Sequence, residues 1–493
     1  FGSSAHIGQG EKLAMLGSPC YADLRWSPRR AFSRRPVART VAATVLAGFV
    51  VAACAALVGT GAPSFTSRAA LQGGPQKELR RWPAFQAPVA LARTGPGRRS
   101  PRHAAEASGA AGSDGVAPPR VVFLGSPDCV CSVLRTLWET ASSPAAPFEL
   151  CAVVTQPPKR VGRNKEPSKT PVHELAEELG VPRIWTPDSA KDEEFLVDLE
   201  GLEPAVCVTA AYGQYLPGRF LRAPRLGTLN LHPSLLPRWR GASPVQRALE
   251  AGDTETGITI LYTVAKMDAG PLVMQRSMSL NGTETSDELL KFLFKWGVNL
   301  LVEEALPKVL RGDITMATAE VQQEELVTKA PLIKKEEGRL WPHNETALQM
   351  RDKVRGFVGW PGTTLPVACS GSAAPLQGLR VRVADAEVVP MVELFPKDSA
   401  SAEEARPEDE LLFVPARGGR PAAVGVRPAL DSENVLLLRT WQLPGKKEVP
   451  AKTFQKGYMS AQPARWLRPE EEAELAAKGG GETLRKRKRV RST

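Results

Sequence analysis

The sequence predicts an α/β chain, with a doubly wound parallel domain first and a small β domain, a barrel, after it. Three observations carry this. From Arg120 short apolar runs alternate with amphipathic helical patterns. After about residue 320 the pattern changes to short alternating strands between Pro- and Gly-rich turns. Before residue 119 neither pattern is present. A chain of 493 residues has room for two or three units. The expected division is a leader over 1–118, a catalytic domain over 119–312, a linker over 313–328, a β domain over 329–472 and a basic tail over 473–493.

The leader reads as an address. Arg29, Arg30, Arg34, Arg35 and Arg39 precede an uninterrupted small and apolar run from Val41 to Val58. A charged region followed by an apolar stretch has the form of a secretory signal, and 18 such residues are just enough to span a bilayer. Residues 63–118 are rich in Ala, Gly, Pro, Ser and Arg, with only Glu78, Glu106 and Asp114 acidic. That is transit-peptide composition, and it offers too little apolar surface to offset chain entropy. The two parts together resemble the leaders of plastid proteins that cross an endomembrane. A mitochondrial presequence and a membrane anchor remain the alternatives. A plastid is favoured over a mitochondrion, with no stable membrane association of the mature body.

The elements then follow in order. Arg120–Ser126 (RVVFLGS) is an apolar run ending in Gly, the pattern of a buried parallel strand. Pro127 and Asp128 suit a helix start. Phe148–Thr155 is a second strand, followed by a basic loop from Gln156 to Thr170 and a helix over Pro171–Leu179. Further strands are expected at Ala205–Ala210, Thr228–His232 and Gly257–Val264, with short and long helices at Pro244–Ala251 and Leu289–Leu310. In the second domain, Leu379–Val383, Leu411–Val414 and Val435–Leu438 read as strands.

The net charge of +11 belongs to the ends of the chain. Residues 1–118 hold 15 Lys and Arg against 5 acidic groups, and 481–493 hold 6 against one, leaving 43 basic and 47 acidic groups between. Nucleic-acid contact by the body therefore needs local patches, not a general field. The run Arg485–Arg491 reads as a solvated tail. The cysteines are odd in number, seven, with no CxxC spacing, and none of the five histidines lies at ligand spacing from another. A reduced compartment and no structural zinc are expected. Gly125 lacks a GxGxxG context, so no nicotinamide cofactor is implied.

The most informative stretch is Gly227–Gly241, GTLNLHPSLLPRWRG. Asn230 and His232 lie two apart on an expected strand and share one of its faces. Pro233 ends the strand, which places both at its carboxyl end, where α/β sheets carry their ligands. An amide N–H can hold a developing oxyanion while an imidazole donates a hydrogen bond or relays a proton. Asp268, in KMDAG past the next strand, would orient the ring or accept a proton, and Gly270 lets the backbone turn close to a ligand. Taken alone, a strand-end Asn and His also serve as loop caps.

Asn230-x-His232-x-Ser234-Leu235-Leu236-Pro237, with Asp268 and Gly270 downstream, resembles the signature of the 10-formyltetrahydrofolate-dependent formyltransferases. The resemblance runs on through Ser126-Pro127-Asp128, Thr155-Gln156-Pro157, Ala211-Tyr212-Gly213, Arg238–Ala242, Gln246, Gly252-Asp253 and Thr256-Gly257, and covers roughly 120–470. Within that group it is the methionyl-tRNA-directed family that the chain is most similar to. Three features point there: the basic loop Lys159–Lys165, the pattern Glu336–Trp341 with Gly359–Gly362, and the late basic turn Pro444–Lys447. The family usually has Gly where Asn164 stands.

The resemblance implies a Rossmann-like formyltransferase domain, 10-formyltetrahydrofolate as co-substrate, no metal, and initiator Met-tRNA as partner, acting as a monomer. It implies Asn230, His232 and Asp268 as catalytic residues. It implies a donor site at Ala211, Tyr212, Gly213, Ser234, Leu235, Leu236, Pro237 and Gly270, and tRNA contacts from Lys159, Arg160, Arg163, Lys165, Lys446 and Lys447. The rivals are a transferase acting on a small-molecule amine, a hydrolase of 10-formyltetrahydrofolate, and an idle RNA-binding protein on the same scaffold.

Overall fold

The computed structural model describes residues 117–160, 166–369, 376–394, 407–460 and 464–477. The leader up to residue 116, the loop positions Arg163 and Lys165, and the tail from residue 478 lie outside the described residues.

Strand β1 (Arg120–Leu124) opens the first sheet and buries every residue after Arg120. Its alternate side chains serve two cores. Val121 and Phe123 join one cluster with Leu134, Leu293 and Val298, while Val122 and Leu124 join another with Phe195, Leu199 and Phe220. Both faces are thus covered by helices, which is why the strand reads as continuously apolar. The other strands are β2 (Glu149–Val154), the short hairpin β3 (Lys159–Arg160) and β4 (Pro167–Ser168), β5 (Ile184–Trp185), β6 (Val206–Thr209), β7 (Thr228–His232), β8 (Glu255–Tyr262) and β9 (Leu272–Ser279). The sheet order is β5-β2-β1-β6-β7-β8-β9.

From β5 to β7 the strands are parallel, and the order reverses at β1, so the carboxyl ends of β1 and β6 flank a crevice. The last two pairings are antiparallel, β7 with β8 and β8 with β9. The doubly wound core is as the sequence predicts, and β9 is an addition to it. After its first two residues that strand is only partly buried or exposed, so its residues (LVMQRSMS) lack the apolar run of a buried strand.

The helices begin and end on chemical signals. Helix α1 (Cys131–Ala141) follows a 3-10 turn over Asp128–Val130. Helix α2 (Pro171–Leu179) has Thr170 as N-cap, accepting from the His173 N–H at 3.1 Å, Pro171 in its first turn and Gly180 in a left-handed C-cap. Helices α3 (Glu193–Leu202), α4 (Gly218–Arg222) and α5 (Pro244–Glu250) follow. The long helix expected over Leu289–Leu310 is three pieces: α6 (Ser286–Leu300), a π turn over Leu301–Ala305, and α7 (Leu306–Arg311). Pro307 has no N–H for a carbonyl one turn back, and the wider turn sits just ahead of it.

The second sheet contains β10 (Thr363–Cys369), β11 (Leu376–Pro390), β12 (Leu412–Val414), β13 (Ala423–Val426), β14 (Asn434–Gln442), β15 (Val449–Pro450) and β16 (Arg465–Trp466). Its order is β12-β13-β14-β11-β10-β16, with β15 on β14 and every pairing antiparallel. The two ends of that order meet. Glu410 bridges Arg465, the Leu411 N–H donates to the Ala464 carbonyl at 2.7 Å, and the Trp466 N–H to that of Asp409 at 2.9 Å. Closure of this kind is the expected small barrel. Its core holds Trp441, Trp466 and Phe454, with the Trp441 and Phe454 rings stacked at 4.4 Å. Helix α8 (Ala347–Gly356) packs against both α5 and β11.

The stretch 313–328 does not hang free. Glu320 exchanges backbone hydrogen bonds with Leu272, and Thr328 receives them from Arg240. Among the described residues no helix is long and apolar enough to cross a membrane.

Candidate active site

Strand β7 ends at His232, whose neighbours in register are Thr259 on β8 and, two residues back, Thr209 beside Asn230. The chain then turns through Pro233–Pro237. Thr259 Oγ1 donates to the Ser234 carbonyl at 2.6 Å and accepts from the Leu236 N–H at 3.2 Å. Gln275 on β9 donates to the Leu236 carbonyl at 2.9 Å. These are internal bonds of a buried loop, and they fix where the next residues emerge.

Arg238–Gly241 is held from the outside. Asp253 accepts from the Arg238 guanidinium at 3.0 and 2.6 Å and from the Trp239 indole at 2.7 Å. Trp239 itself sits at φ +65°, a left-handed conformation that costs an ordinary residue about 1–2 kcal/mol. That conformation presents the Trp239 carbonyl to His232 Nε2 at 3.0 Å. A carbonyl only accepts, so Nε2 carries a proton and Nδ1 is the ring nitrogen left to face the site.

Asp268 is the hub. Its Oδ1 accepts from Asn230 Nδ2 at 3.3 Å and lies 3.7 Å from His232 Nδ1, while its Oδ2 accepts from the Gly241 N–H at 3.0 Å. The His232 side chain is 5% exposed and that of Asp268 13%. Asp268 also has a left-handed backbone, φ +48°. Two glycines make the close approach possible. A Cβ on Gly270 would lie 1.7 Å from the Tyr262 carbonyl oxygen, and one on Gly241 2.4 Å from that of Ala330. The three expected catalytic side chains therefore converge, although Asn230 on the strand and Asp268 on a later loop are 38 residues apart.

The expected donor-site residues divide. Ala211 and Gly213 line the crevice end of β6 with positive φ, +45° and +82°. Tyr212 between them turns inward. It is 3% exposed, its hydroxyl has no hydrogen-bond partner, and burial pushes that hydroxyl well above its ordinary pKa. Its carbonyl accepts from Ser126 Oγ at 3.2 Å and Gln156 Nε2 at 3.0 Å. Ser234 is buried, and its hydroxyl donates to the Arg238 carbonyl at 2.8 Å; Leu236 packs with Leu261 and Leu272. Leu235 and Pro237 keep partial exposure.

The expected tRNA contacts divide too. Lys159 and Arg160 are both exposed, and Lys159 donates to Gln156 Oε1 at 2.7 Å at the root of the hairpin. Lys446 donates to the Tyr458 hydroxyl at 2.9 Å and borders a groove of about 280 Å³ with Arg380, Arg382 and Gln442. Lys447 is exposed beside it. A separate cavity of about 750 Å³, lined by Glu200, Arg219, Arg222 and Arg225, lies at the opposite end of β6 and shares no residue with the site.

Residues 119–305 match the Formyl transferase family model. The chain is 41% identical over 243 residues to the methionyl-tRNA formyltransferase of Methylococcus capsulatus, covering 49% of this chain and 75% of that protein. It is 40% identical over 272 residues to the methionyl-tRNA formyltransferase of Paramagnetospirillum magneticum, covering 55% and 82%. The chain belongs to the methionyl-tRNA formyltransferase family. A solved glycinamide ribonucleotide transformylase 1 from Symbiobacterium toebii is also similar, at 21% identity and a TM-score of 0.35 over 42% of this chain and 93% of that one.

Within this family of one-carbon transferases, the site has supports that sequence reasoning missed. Thr259 and Gln275 on the antiparallel strands carry the loop after His232. Gln322, from the stretch expected to be only a linker, donates to the carbonyls of Asp268 at 2.9 Å and Gly270 at 2.7 Å. No local pattern marks these residues. Among the described residues no group of three or more His, Cys, Asp or Glu side chains is placed to hold a metal ion.

Proposed function

We propose that this chain transfers the formyl group of 10-formyltetrahydrofolate to the α-amine of initiator methionyl-tRNA, in an organelle. The observation that carries the reading is the Asp268 carboxylate, which gathers Asn230 Nδ2, His232 Nδ1 and the Gly241 N–H at the carboxyl end of β7. The formyl donor is a substrate, and the residues fit one. Asn230 offers an amide N–H, and His232 an edge whose other nitrogen is already committed.

Asn230 and His232 hold the oxyanion as the neutral amine attacks the formyl carbon, and one such donor supplies about 3 kcal/mol. The Asp268 carboxylate sits 3.7 Å from Nδ1, where it keeps the ring oriented. It collects the amine proton, directly or through water. The new C–N bond forms to the amine, and as the bond from the formyl carbon to the folate nitrogen breaks, the proton taken from the amine passes to that nitrogen, leaving tetrahydrofolate. No covalent intermediate with the protein is needed. Ala211–Gly213 and the segment reaching Gly270 bound the donor crevice, with Leu235 and Pro237 at the partly exposed rim and Ser234 and Leu236 shaping the loop from within.

Lys159, Arg160, Arg163, Lys165, Lys446 and Lys447 serve the tRNA, and Lys159 also holds the Gln156 side chain. Residues 1–118 form a plastid leader, on the strength of their signal-like run and acid-poor composition. The body works as a monomer. The test is formylation of charged initiator tRNA by the purified protein with 10-formyltetrahydrofolate as donor. Fusing 1–118 to a fluorescent reporter tests the address, and a cytosolic or secreted reporter would defeat it.

A further inference from the structure

The strained Asp268 backbone has to be held by something, because a left-handed aspartate reverts to an ordinary conformation when its surroundings allow. The loop Lys266–Gly270 has few bonds of its own. The Ala269 N–H reaches the Lys266 carbonyl at 3.3 Å, and the Asp268 side chain is spent on Asn230, His232 and Gly241. What closes the loop comes from 52 to 54 residues away. Gln322 is 6% exposed, and its Nε2 donates to the carbonyls of both Asp268 and Gly270. Its Oε1 accepts from Arg240 Nε at 2.9 Å.

Arg240 is itself well placed. It lies between Trp239, whose carbonyl holds His232, and Gly241, whose N–H holds Asp268. Its guanidinium is buried, with Nη1 on Glu324 at 2.9 Å. Glu324 also accepts from Lys266 at 2.9 Å, but both side chains are more than half exposed, so that outer pair is weak. The inner link, Arg240 to Gln322 to the two carbonyls, joins the loop that presents the Trp239 carbonyl to the loop that bears the carboxylate. The strand pairing of β7 with β8 does not reach either.

We infer that Gln322 is a positioning residue for catalysis: its carboxamide sets where the Asp268 carboxylate stands relative to Asn230 and His232. The inference rests on the reading of Asp268 as catalytic. Gln322 touches no substrate in this account; it acts only through the Asp268 loop. A carboxamide suits the task because it donates twice from one nitrogen and accepts once. The isosteric glutamate keeps the volume and the acceptor but offers no N–H to either carbonyl.

The test is a double-mutant cycle on the full chain, with Gln322→Glu, Gln322→Ala, Asp268→Asn and the combinations. A carboxylate displaced by about an ångström costs on the order of 10- to 100-fold, so kcat should fall by that much in each Gln322 variant. KM for the folate donor should stay within about twofold, since interactions made only in the transition state leave KM alone. In the Asp268→Asn background the same Gln322 changes should cost less than about twofold, because residues acting as a unit are non-additive. Multiplying losses would overturn the inference. So would unchanged kcat with a raised folate KM, which would assign Gln322 to the donor crevice, or loss of the folded state in both single variants, which would assign it to the fold. If instead Asp268→Asn alone leaves turnover intact, it is the reading of the site that fails.

Discussion

The two sheets give their polar groups different partners. The first gathers them inward at the carboxyl ends of its strands. Ser126, Thr155, Gln156, His232, Ser234, Arg240 and Thr259 are all less than a tenth exposed. Most bond to backbone on a different element, and the backbone there bends to meet them, with positive φ at Ala211, Trp239 and Asp268. The barrel core is built of apolar rings instead; the charges buried around it, such as Asp352 and Glu472, are matched in ion pairs, and others sit nearer the surface. Arg439 pairs with Asp385 and Glu387, Arg465 with Asp409 and Glu471, and the Lys446 turn is left exposed. The difference teaches where chemistry and affinity reside. A site that must stabilise charge needs fixed dipoles out of water, while a surface that grips a phosphate backbone needs reachable cations.

The largest effect that would break this comparison lies in the first sheet. His232→Ala and Asp268→Asn should each lower turnover by about two orders of magnitude or more, the scale of lost oxyanion and proton-transfer groups. Steady-state kinetics beside a thermal melt checks it, and the melt should barely move. Near-normal turnover in either purified variant would remove that residue from the site.

Next comes Gly270→Ala. The added methyl carbon would lie 1.7 Å from the Tyr262 carbonyl oxygen, so backbone must shift and Asp268 with it. We expect at least a tenfold loss of turnover, as misplacement by about an ångström can cost a hundredfold. A thermal midpoint lowered by several degrees should accompany it, on the order of 2 kcal/mol. Full activity would mean that the close approach is not needed.

In the barrel the expected effect is smaller and of another kind. Lys446→Ala with Lys447→Ala should raise KM for methionyl-tRNA several-fold and make its salt dependence shallower by up to about two in log–log slope, roughly one per phosphate contact. Folate affinity, measured by calorimetry, should hold. If folate binding weakens instead, the division between the two sheets is wrong.

The smallest effect sharpens the comparison by probing both cores at once. Burial pushes the Cys151 thiol on β2 up to about 11 and the Cys369 thiol on β10 up to about 12. With raised values the thiolate is scarce near pH 8 and grows about tenfold per pH unit. Native alkylation should therefore be slow at both and faster in alkali. Rapid labelling of Cys369 alone at pH 8 would show the barrel opening ahead of the first sheet.

Much of this was legible in the sequence, for reasons that differ by element. Thr228–His232 is a strand with the expected bounds, because an apolar run closed by Pro233 has little other choice. Helix α2 is bounded by Thr170 and Gly180 in the same way. The turn of the sheet from parallel to antiparallel at β8 was not legible, since a helix, α5, joins β7 to β8 just as it would in a parallel crossover. Asn230 and His232 could be read as a pair from their spacing of two. That Asp268 bonds Asn230 as well as facing His232, and that Gln322 returns to hold it, depends on loops meeting in space, and such contacts leave no period in the chain.

We propose that this polar strand-end site passes a formyl group to the amine of a charged tRNA. The most direct measurement follows a labelled formyl group from 10-formyltetrahydrofolate into acid-precipitable RNA, with free formate counted in the same samples. Label is expected in methionyl-tRNA, dependent on Asp268, with little formate released. Label released as formate, or none in RNA whatever the tRNA supplied, would contradict it.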